Sequence, residues 1–527
     1  MKSKRLASLA CVLVLCLIGL SVATPVVRAD TFTVTSTADT GTGSLRWAID
    51  QANSKPGRHT ITFSIPTSDG GFSLARGVWT IQPASSLPTL TGETTIDGST
   101  QTEWMGDANR LGPEIELDGS KAGGLTVGLD IHGNQNQVRS LIINRFAAAG
   151  IHISQGMTNT VSGCYIGTDH TGTVAQPNDI GVYVVDDASW NIIGGTVPEQ
   201  RNLISGNSDS GLRLEGVEYN DVWGNYIGTD RTGSSRLPNG THGVHVLGGA
   251  EFNDVGGELP EYGNLISGNN GHGVYIEGSN TMINRVGGNT IGLNASHSAP
   301  LHNGKHGVGL YDGTVLNQVG SSVLQPNVIG GNAWSGVAIV DSHTNAVFGN
   351  TIGLPPAGAT QLGNGYHGVH IYDGVHNAVS SNSIAYNGTT TDGNGVRVQE
   401  LGALYNRITV NSIHHNGGLG IALVTGGNAG LAAPQIIGAS CSGASGTACA
   451  NSTVEIFSDS QDEGQQVHFP PVAFADAAGK WSWSGSITGP NVTATAADGL
   501  GNTSQFSTPR IGACYRMLLP QLFKSRP

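Results

Sequence analysis

Asn202-Leu203-Ile204-Ser205-Gly206-Asn207 returns unchanged at residues 264–269, 62 residues later. An Ile-Gly pair recurs with the same long period, at residues 166, 227, 291 and 352, in steps of 61, 64 and 61 residues. Each long unit holds two shorter ones, and each shorter one has a glycine followed by an apolar–any–apolar triplet. Self-similarity of this kind is typical of chains built from stacked, similar turns.

Eleven glycines head such triplets, at intervals of 22 to 34 residues: Gly128, Gly150, Gly181, Gly211, Gly243, Gly273, Gly307, Gly336, Gly368, Gly395 and Gly420. Within a turn, apolar residues alternate over three short segments, such as 274–276, 284–286 and 289–291. No segment of the repeats is long enough for a helix. Because each segment can pair with its equivalent one turn later, the pattern predicts an all-β, three-faced parallel β-helix.

Asparagine occupies two fixed places in these turns. The first row is Asn136, Asn159, Asn191, Asn220, Asn253, Asn284, Asn317, Asn345, Asn377 and Asn406, and the second is Asn202, Asn225, Asn264, Asn289, Asn327, Asn350, Asn382 and Asn411. Stacked amides can hydrogen-bond along the axis, so both rows are interpreted as structural ladders. Cys164 stands in the place of the second row and is interpreted as a structural thiol, with a reactive cysteine as the alternative.

Composition and charge narrow the class of protein. The chain has 79 glycines among 527 residues, 12% charged residues and a net charge of −13. This excludes a coiled coil, a helical bundle and, without a Gly-X-Y period, collagen. A strongly acidic balance also speaks against nucleic acid as a partner.

The chain divides into five segments. Residues 1–29 have a basic start, an apolar run and a small-residue cleavage site, which predicts a secretory signal peptide and a secreted or cell-surface protein. A transmembrane anchor is the alternative, and no membrane span is expected after signal removal. We assign residues 30–95 to an N-terminal cap, 96–433 to the β-helix, 434–508 to a small β-sandwich and 509–527 to a tail. Within the cap, Ser44 to Asn53 predicts an amphipathic helix that covers the first turn.

Two cysteines of the sandwich bracket a short, flexible loop. Cys441 and Cys449 are separated by seven residues, which predicts a hairpin disulfide in an oxidising compartment. Cys164 and Cys514 are expected to be unpaired.

The middle residue of each Gly-headed triplet is expected to face solvent on the first sheet. In chain order this row is Asp130, His152, Tyr183, Arg213, His245, Tyr275, Gly309, Ala338, His370, Arg397 and Ala422. Aromatic faces can stack on sugar rings, and Arg and His can hydrogen-bond their hydroxyls or carboxylates. The row predicts ligand binding by Tyr183, His245, Tyr275, His370 and Arg397; an ordinary solvated face is the alternative.

Acidic residues follow these strands: Asp186, Asp187, Glu215, Glu277, Asp312, Asp341, Asp373 and Glu400. As a stacked column they could serve as catalytic acids or bind Ca²⁺; the alternative is that they are turn residues. Around Arg213, Glu215 and Glu277 a guanidinium and two carboxylates should converge beside the row. In an enzyme, the two glutamates would be acid and base or cation ligands, with Arg213 as a base. His242, His272, His306 and His367 precede the strand glycines and suggest either a metal ladder or simple repeat copying.

Residues 30 to about 424 resemble secreted bacterial right-handed parallel β-helix proteins of the pectin-lyase-like superfamily. The resemblance lies in Thr37-Ala38-Asp39-Thr40 with Gly43-Ser44-Leu45-Arg46, in Leu87-Pro88-Thr89-Leu90 with Thr95-Ile96-Asp97-Gly98, and in the repeated segments. It implies a right-handed coil, as the handedness of parallel crossovers also does. Residues 459–507 resemble bacterial immunoglobulin-like modules.

The superfamily contains pectate lyases, polygalacturonases and non-catalytic surface proteins, so the resemblance alone does not choose a function. We expect a non-catalytic protein that binds polysaccharide or a cell-envelope glycan on the first sheet, or serves as an extended surface module. A polysaccharide lyase or glycoside hydrolase on the same sheet is the alternative, and periplasmic metal delivery through the histidines is a third.

Overall fold

The computed structural model describes residues 29–321, 325–354, 361–388, 393–459, 464 and 466–512. Within these residues the chain forms three long sheets, almost wholly parallel, and two small antiparallel ones. The fold is a right-handed parallel β-helix followed by an all-β module, which confirms the predicted fold class. None of the helices in the described ranges has the length and apolar character needed to cross a membrane.

Sheet 1 consists of the eleven strands that follow the repeated glycines. They are Leu129–Ile131, Ala149–Ser154, Ile180–Val185, Leu212–Glu215, Val244–Leu247, Val274–Glu277, Val308–Tyr311, Val337–Val340, Val369–Tyr372, Val396–Gln399 and Ile421–Val424. Equivalent positions pair in register, as in Val244 with Val274 and Val274 with Val308. The eleven turns read from the sequence are therefore confirmed.

Sheet 2 has 13 described strands: Thr31–Val34, His59–Phe63, Thr94–Asp97, Gln137–Arg139, Thr160–Ser162, Ile192–Gly194, Asp221–Trp223, Asp254–Gly256, Arg285–Gly287, Gln318–Gly320, Ala346–Phe348, Ala378–Ser380 and Arg407–Thr409. Sheet 3 also has 13: Phe72–Ser73, Val78–Ile81, Ile115–Asp118, Leu141–Asn144, Tyr165–Ile166, Leu203–Ile204, Tyr226–Ile227, Leu265–Ile266, Thr290–Ile291, Val328–Ile329, Thr351–Ile352, Ser383–Ala385 and Ser412–His414. Since Thr31–Val34 and His59–Phe63 already pair in parallel, sheet 2 begins inside the segment assigned to the cap.

The predicted capping helix is present at the start of the β-helix. It spans Leu45–Asn53, and the Ser44 side chain caps it by accepting a hydrogen bond from the Trp47 amide. Its buried face packs into the same apolar cluster as the first strands. A second helix, Ser99–Met105, was not predicted, because only Gln101 of its seven residues is buried and no amphipathic pattern marks it.

Inward-facing Val, Ile and Leu side chains form one continuous core from Phe32 to Ile421. Three asparagine ladders lie at its edges. In each, one asparagine donates its backbone and side-chain N–H groups to the Oδ1 of the next turn's asparagine, as Asn253 does to Asn284 at 3.0 and 2.9 Å. The two predicted rows are confirmed as ladders. The third, which the sequence analysis missed, runs through Asn178, Asn207, Asn239, Asn269, Asn303, Asn332, Asn364, Asn387 and Asn416.

Cys164 begins the second ladder, where its backbone N–H donates to Asn202 Oδ1 at 2.9 Å. Its thiol is fully buried, and burial raises its pKa to about 12. The thiolate needed for reactivity is therefore absent at neutral pH, which favours the structural role.

The C-terminal module has two antiparallel sheets. One contains Gln435–Ser440, Gly443–Thr447 and Lys480–Ser484; the other contains Thr453–Asp459, Gln466–Phe474, Asn491–Ala497 and Arg510–Ile511. Both sheets contribute to one apolar cluster, through Trp481 and Trp483 on one side and Ile456 and Val492 on the other. This agrees with the predicted β-sandwich, while its immunoglobulin-like character stays a prediction.

The module closes the last turn of the β-helix. Ile413 and Gly464 exchange two backbone hydrogen bonds of 3.0 Å, and the Ile408 amide donates to Thr503 Oγ1 at 2.9 Å. The ring of Phe506 packs against the end of the β-helix core. Backbone groups that would otherwise form an open sheet edge thus find partners in the module.

The predicted disulfide between Cys441 and Cys449 is wrong. Cys449 is a free cysteine, whereas Cys441 is disulfide-bonded. Because Ser440 pairs with Gly443, Cys441 lies in the tight turn of the hairpin, while Cys449 lies beyond the far end of Gly443–Thr447. Five strand residues span roughly 16 Å, well beyond the separation that a disulfide bridges. The prediction for Cys514 falls outside the described residues.

The buried carboxyl group of Glu455 lies where the C-terminal module contacts the last turn of the β-helix, and we expect it to make the stability of the protein depend on pH. Its carboxylate accepts hydrogen bonds from Thr409 Oγ1 and from the Val410 amide at 2.9 Å, and burial raises its pKa above the ordinary 4.5. The folded state therefore binds the proton more tightly than the unfolded state, so stability should fall as pH rises from about 4.5 through the raised pKa. Thermal melts of the wild type and Glu455→Gln between pH 4 and 7 test this. We expect a smaller decrease in the variant, and parallel curves would contradict the prediction.

Candidate ligand-binding face

The outward row predicted for sheet 1 lies in register from turn to turn, but it does not face solvent throughout, because His245, Ala338 and Ala422 are buried. Each of the eleven row residues pairs with its equivalent in the adjacent turn. In chain order they are Asp130, His152, Tyr183, Arg213, His245, Tyr275, Gly309, Ala338, His370, Arg397 and Ala422. With strands about 4.8 Å apart, the row is a strip on the order of 50 Å long.

The predicted cluster around Arg213 separates into two hydrogen-bonded groups. Tyr183 donates its hydroxyl to Glu215 Oε2 at 2.7 Å. One turn beyond Arg213, His245 Nε2 lies 2.8 Å from Glu277 Oε1. Each glutamate is therefore held by its own aromatic neighbour.

The pKa shifts of the aromatic residues differ between the two groups. Burial, reinforced by Glu215, raises the pKa of Tyr183 to about 12, so the phenol stays protonated. Burial lowers the pKa of His245 although Glu277 opposes this effect. Arg213 stays near Tyr183, with its guanidinium carbon 5.9 Å from the ring centre, and its Nε is buried without a partner among the described residues.

The acidic residues occupy two positions rather than one column. Asp312, Asp341, Asp373 and Glu400 follow register partners in four consecutive turns and stack there, and burial together with Asp373 and Asp312 raises the pKa of Asp341. Glu215 and Glu277 end their strands, and Glu277 pairs with Tyr311 rather than with Asp312. The other acids follow the strand end and have positive φ, from 48° to 84°: Asp186, Asp187, Asp312, Asp341, Asp373 and Glu400. They bend the chain from sheet 1 toward sheet 2, so the turn-residue interpretation is correct for them.

An aromatic cleft opens on sheet 1 where the outward row has its smallest side chains, at Gly309 and Ala338. The cleft has a volume of about 420 Å³. Its wall is aromatic or apolar except for one serine: His306, Tyr311, Trp334, Ser335, Val340, Tyr366, His367, His370 and Tyr372. Trp334 and Tyr366 are 38% and 46% exposed, so parts of both rings are open to solvent.

The cleft histidines are uncharged at neutral pH. Burial lowers the pKa of His306 and His367 to about 3 and that of His370 to about 4. His306 Nδ1 and His367 Nδ1 accept backbone N–H groups of Ser335 and Asn394, at 3.0 and 3.1 Å. His370 Nε2 is buried without a partner among the described residues and can hydrogen-bond a ligand.

The histidines before the strand glycines stack rather than converge. His242 and His272 have ring centres 5.2 Å apart, and His272 and His306 lie 5.4 Å apart. In the described part of the chain, one group of three or more His, Cys, Asp or Glu residues has donor atoms within 4.8 Å of one another. It consists of Asp130, His132 and His152. Among the described residues the histidines before the strand glycines therefore share no cluster of three donors, which favours the repeat-copying interpretation.

A carboxylate pair that the sequence analysis missed lies on sheet 2. Asp221 pairs in register with Asp254, which pairs with Arg285. Burial, together with repulsion by Asp254, raises the pKa of Asp221 to about 7. The alternation of outward and inward residues along the sheet 2 strands is the sequence signal for this pair.

The cleft was also missed, although the sequence carried a signal for it. Gly309 and Ala338 interrupt a row of large polar and aromatic residues, and Trp334 and Tyr366 each stand two residues before a strand glycine. Small residues in the row, flanked by large ones at the corner, are the pattern that marks a hollow.

Comparison with known proteins gives one partial family match. Residues 308–431 match the family described as "Periplasmic copper-binding protein (NosD)", a segment that includes most of the aromatic cleft. No curated protein sequence matches the chain.

Two solved structures are similar to the chain over most of its length. The A-module of the Azotobacter vinelandii mannuronan C-5 epimerase AlgE4 is 14% identical, with 75% of this chain and 97% of that chain covered and a TM-score of 0.47. The Dettilon tailspike protein is 13% identical, with 90% and 91% covered and a TM-score of 0.47.

Proposed function

We propose that this chain is an exported, non-catalytic β-helix protein that binds a glycan along sheet 1, with the aromatic cleft as the main contact. One observation carries the proposal: partly exposed Trp and Tyr rings surround a hollow beside a long, flat strip. Aromatic faces pack against the apolar faces of sugar rings, and neutral imidazoles and phenols hydrogen-bond hydroxyl groups.

The lining of the cleft narrows the class of glycan. It includes no Asp, Glu, Lys or Arg among the described residues. Cations lie at its rim, where Lys305 Nζ is 5.7 Å from the Trp334 ring centre and Arg397 is the register partner of His370. A charged group that enters the lined hollow itself would lose hydration without a charged partner in its walls. We therefore infer that the cleft takes an uncharged saccharide unit, with Tyr275 and Arg397 as contacts farther along the strip.

Replacement of Trp334 tests this proposal. We expect Trp334→Ala to weaken binding of a neutral polysaccharide by about 1–3 kcal/mol, or roughly five- to over a hundredfold in Kd, because a stacking face is lost. Calorimetry or a glycan array measures the effect. Trp190→Ala is the matched control, since Trp190 is also exposed but lies outside sheet 1.

The affinity of the wild type for the neutral polysaccharide should also change little between pH 5.5 and 8, because the cleft histidines stay neutral throughout this range. Unchanged affinity in both Trp334→Ala and Tyr275→Ala would place the glycan site elsewhere on the molecule.

Catalysis on the same sheet is the second candidate. Glu215 and Glu277 lie two strands apart, about 9.6 Å by strand spacing, near the upper limit for an inverting hydrolase. Their roles as acid and base, or as Ca²⁺ ligands beside Arg213, stay predictions. Incubation with acidic and neutral polysaccharides, with and without Ca²⁺, separates the classes. An enzyme loses turnover in Glu277→Gln but still binds, whereas a binding protein releases no product.

Copper binding is a third candidate, favoured by the family match over residues 308–431. Against it, the Nδ1 atoms of His306 and His367 already accept backbone hydrogen bonds. Copper titration of His367→Ala and His370→Ala tests this candidate separately from glycan binding.

Export is supported by two features. Residues 1–29 have the pattern of a signal peptide, and Cys441 is disulfide-bonded, which is typical of oxidising compartments. The matching family is described as periplasmic. We infer a periplasmic or extracellular location.

A further inference from the structure

We propose that Asp130, His132 and His152 form a binding site for a divalent transition-metal ion at the N-terminal end of sheet 1. Asp130 Oδ1 lies 2.8 Å from His152 Nδ1 and 3.2 Å from His132 Nε2. All three donor atoms lie within 4.8 Å of one another. Donors that share a tetrahedral ion with bonds of 2.0–2.1 Å are about 3.3 Å apart, close to this spacing.

The β-helix itself brings these residues together. Asp130 and His132 are two residues apart, so in extended backbone they project from the same face. His152 is the register partner of Asp130 in the next turn. The side chains of an Asp-x-His segment and of a His one turn later therefore lie close together without any special loop.

Neighbouring groups fix the donors in place. Thr89 Oγ1 donates to Asp130 Oδ2 at 2.7 Å and leaves Oδ1 for the metal. The Leu90 carbonyl accepts the backbone N–H groups of His132 and Gly133 at 3.0 and 2.8 Å, which anchors the strand end. Hydrogen bonds to the ligands are the usual means by which proteins orient a metal site.

The donor set selects the class of ion. Two imidazole nitrogens and one carboxylate oxygen suit Zn²⁺, Cu²⁺ and related ions, whereas Ca²⁺ prefers oxygen ligands alone. The His132 side chain is 40% exposed, so the remaining coordination positions are open to water. The site lies outside residues 308–431 and shares no residue with the aromatic cleft.

Zinc titration of the tag-free, chelator-treated protein tests the proposal. We expect one Zn²⁺ per chain by calorimetry, and Co²⁺ substitution should give the visible absorption of a low-coordinate site. The double variant His132→Ala/His152→Ala should lose this binding, while His302→Ala, which removes an exposed histidine from another turn, should keep it.

Thr89 provides a test of positioning. Thr89→Val should weaken zinc binding by about 10- to 100-fold, and Thr89→Ser should restore it, with unchanged thermal melts in both variants. Two results would overturn the proposal: zinc binding by the wild type no stronger than that of the double variant, or loss of binding in His367→Ala/His370→Ala instead.

Discussion

Ile276→Asp should unfold the middle of the β-helix at temperatures where the wild type is stable. Ile276 is fully buried and stacks in register between Val246 and Leu310 of the adjacent turns. An aspartate there would place a carboxylate in an apolar column with no partner, at a cost of several kcal/mol. Because each turn is stabilised only by its neighbours, the turns on both sides should lose their coupling. Urea denaturation followed by circular dichroism measures the loss.

Ala378→Asp is the matched control for this substitution. Ala378 faces outward on sheet 2 beside Arg407, so the same carboxylate should be tolerated there. Equal stability of Ile276→Asp and the wild type would mean that the inward and outward faces of the strand are assigned the wrong way round.

Asn253→Ala should have the second-largest effect. Asn253 Oδ1 accepts the backbone and side-chain N–H groups of Asn220, at 3.0 and 3.1 Å, and Asn253 Nδ2 donates to Asn284 Oδ1 and to the Val217 carbonyl. Truncation leaves several of these buried groups unpaired, each at a cost of about 1–3 kcal/mol. We expect a total loss of about 3 kcal/mol or more in the free energy of unfolding.

Asn253→Asp distinguishes hydrogen bonding from packing at this position. The aspartate has the same shape and keeps both accepted bonds, but it cannot donate to Asn284 Oδ1 or to Val217. If the ladder acts through its hydrogen bonds, this variant should be at least as unstable as the alanine variant. If Asn253→Asp is about as stable as the wild type, the ladder stabilises the fold by packing rather than by hydrogen bonding.

Most of the fold could be predicted from the sequence because every turn repeats the same pattern of a glycine, alternating apolar residues and asparagines. The strands of sheet 1, the capping helix and two of the asparagine ladders follow from periodicity and local chemistry alone. The third ladder was missed although Asn207 and Asn269, its members, close the repeated hexapeptide. Its members recur every 23 to 34 residues, which is as regular as the first predicted row and more regular than the second, so this ladder was readable from the sequence.

The candidate site was less predictable, since it depends on single-residue register and on side-chain partners. Strand alternation was enough to place Tyr275 and His370 on one face. It could not separate Glu277, the last strand residue, from Asp312, a left-handed turn residue one position later. It also could not show that Tyr183 would bond to Glu215, or that Trp334 and Tyr366 would line one cleft with His370.

The three ladders give the β-helix a direction. In the bonds between asparagines, each one donates to the Oδ1 of the next turn and accepts from the asparagine of the preceding turn, so the two ends of the column are chemically different. At the far end of the first ladder, Asn428 accepts from the Asn406 amide and returns its own N–H to the Asn406 carbonyl and to Thr503. A duplicated turn inserted between two others would meet the donors and acceptors it needs on both sides. Such a protein can lengthen or shorten by whole turns during evolution, while its two ends must stay as they are.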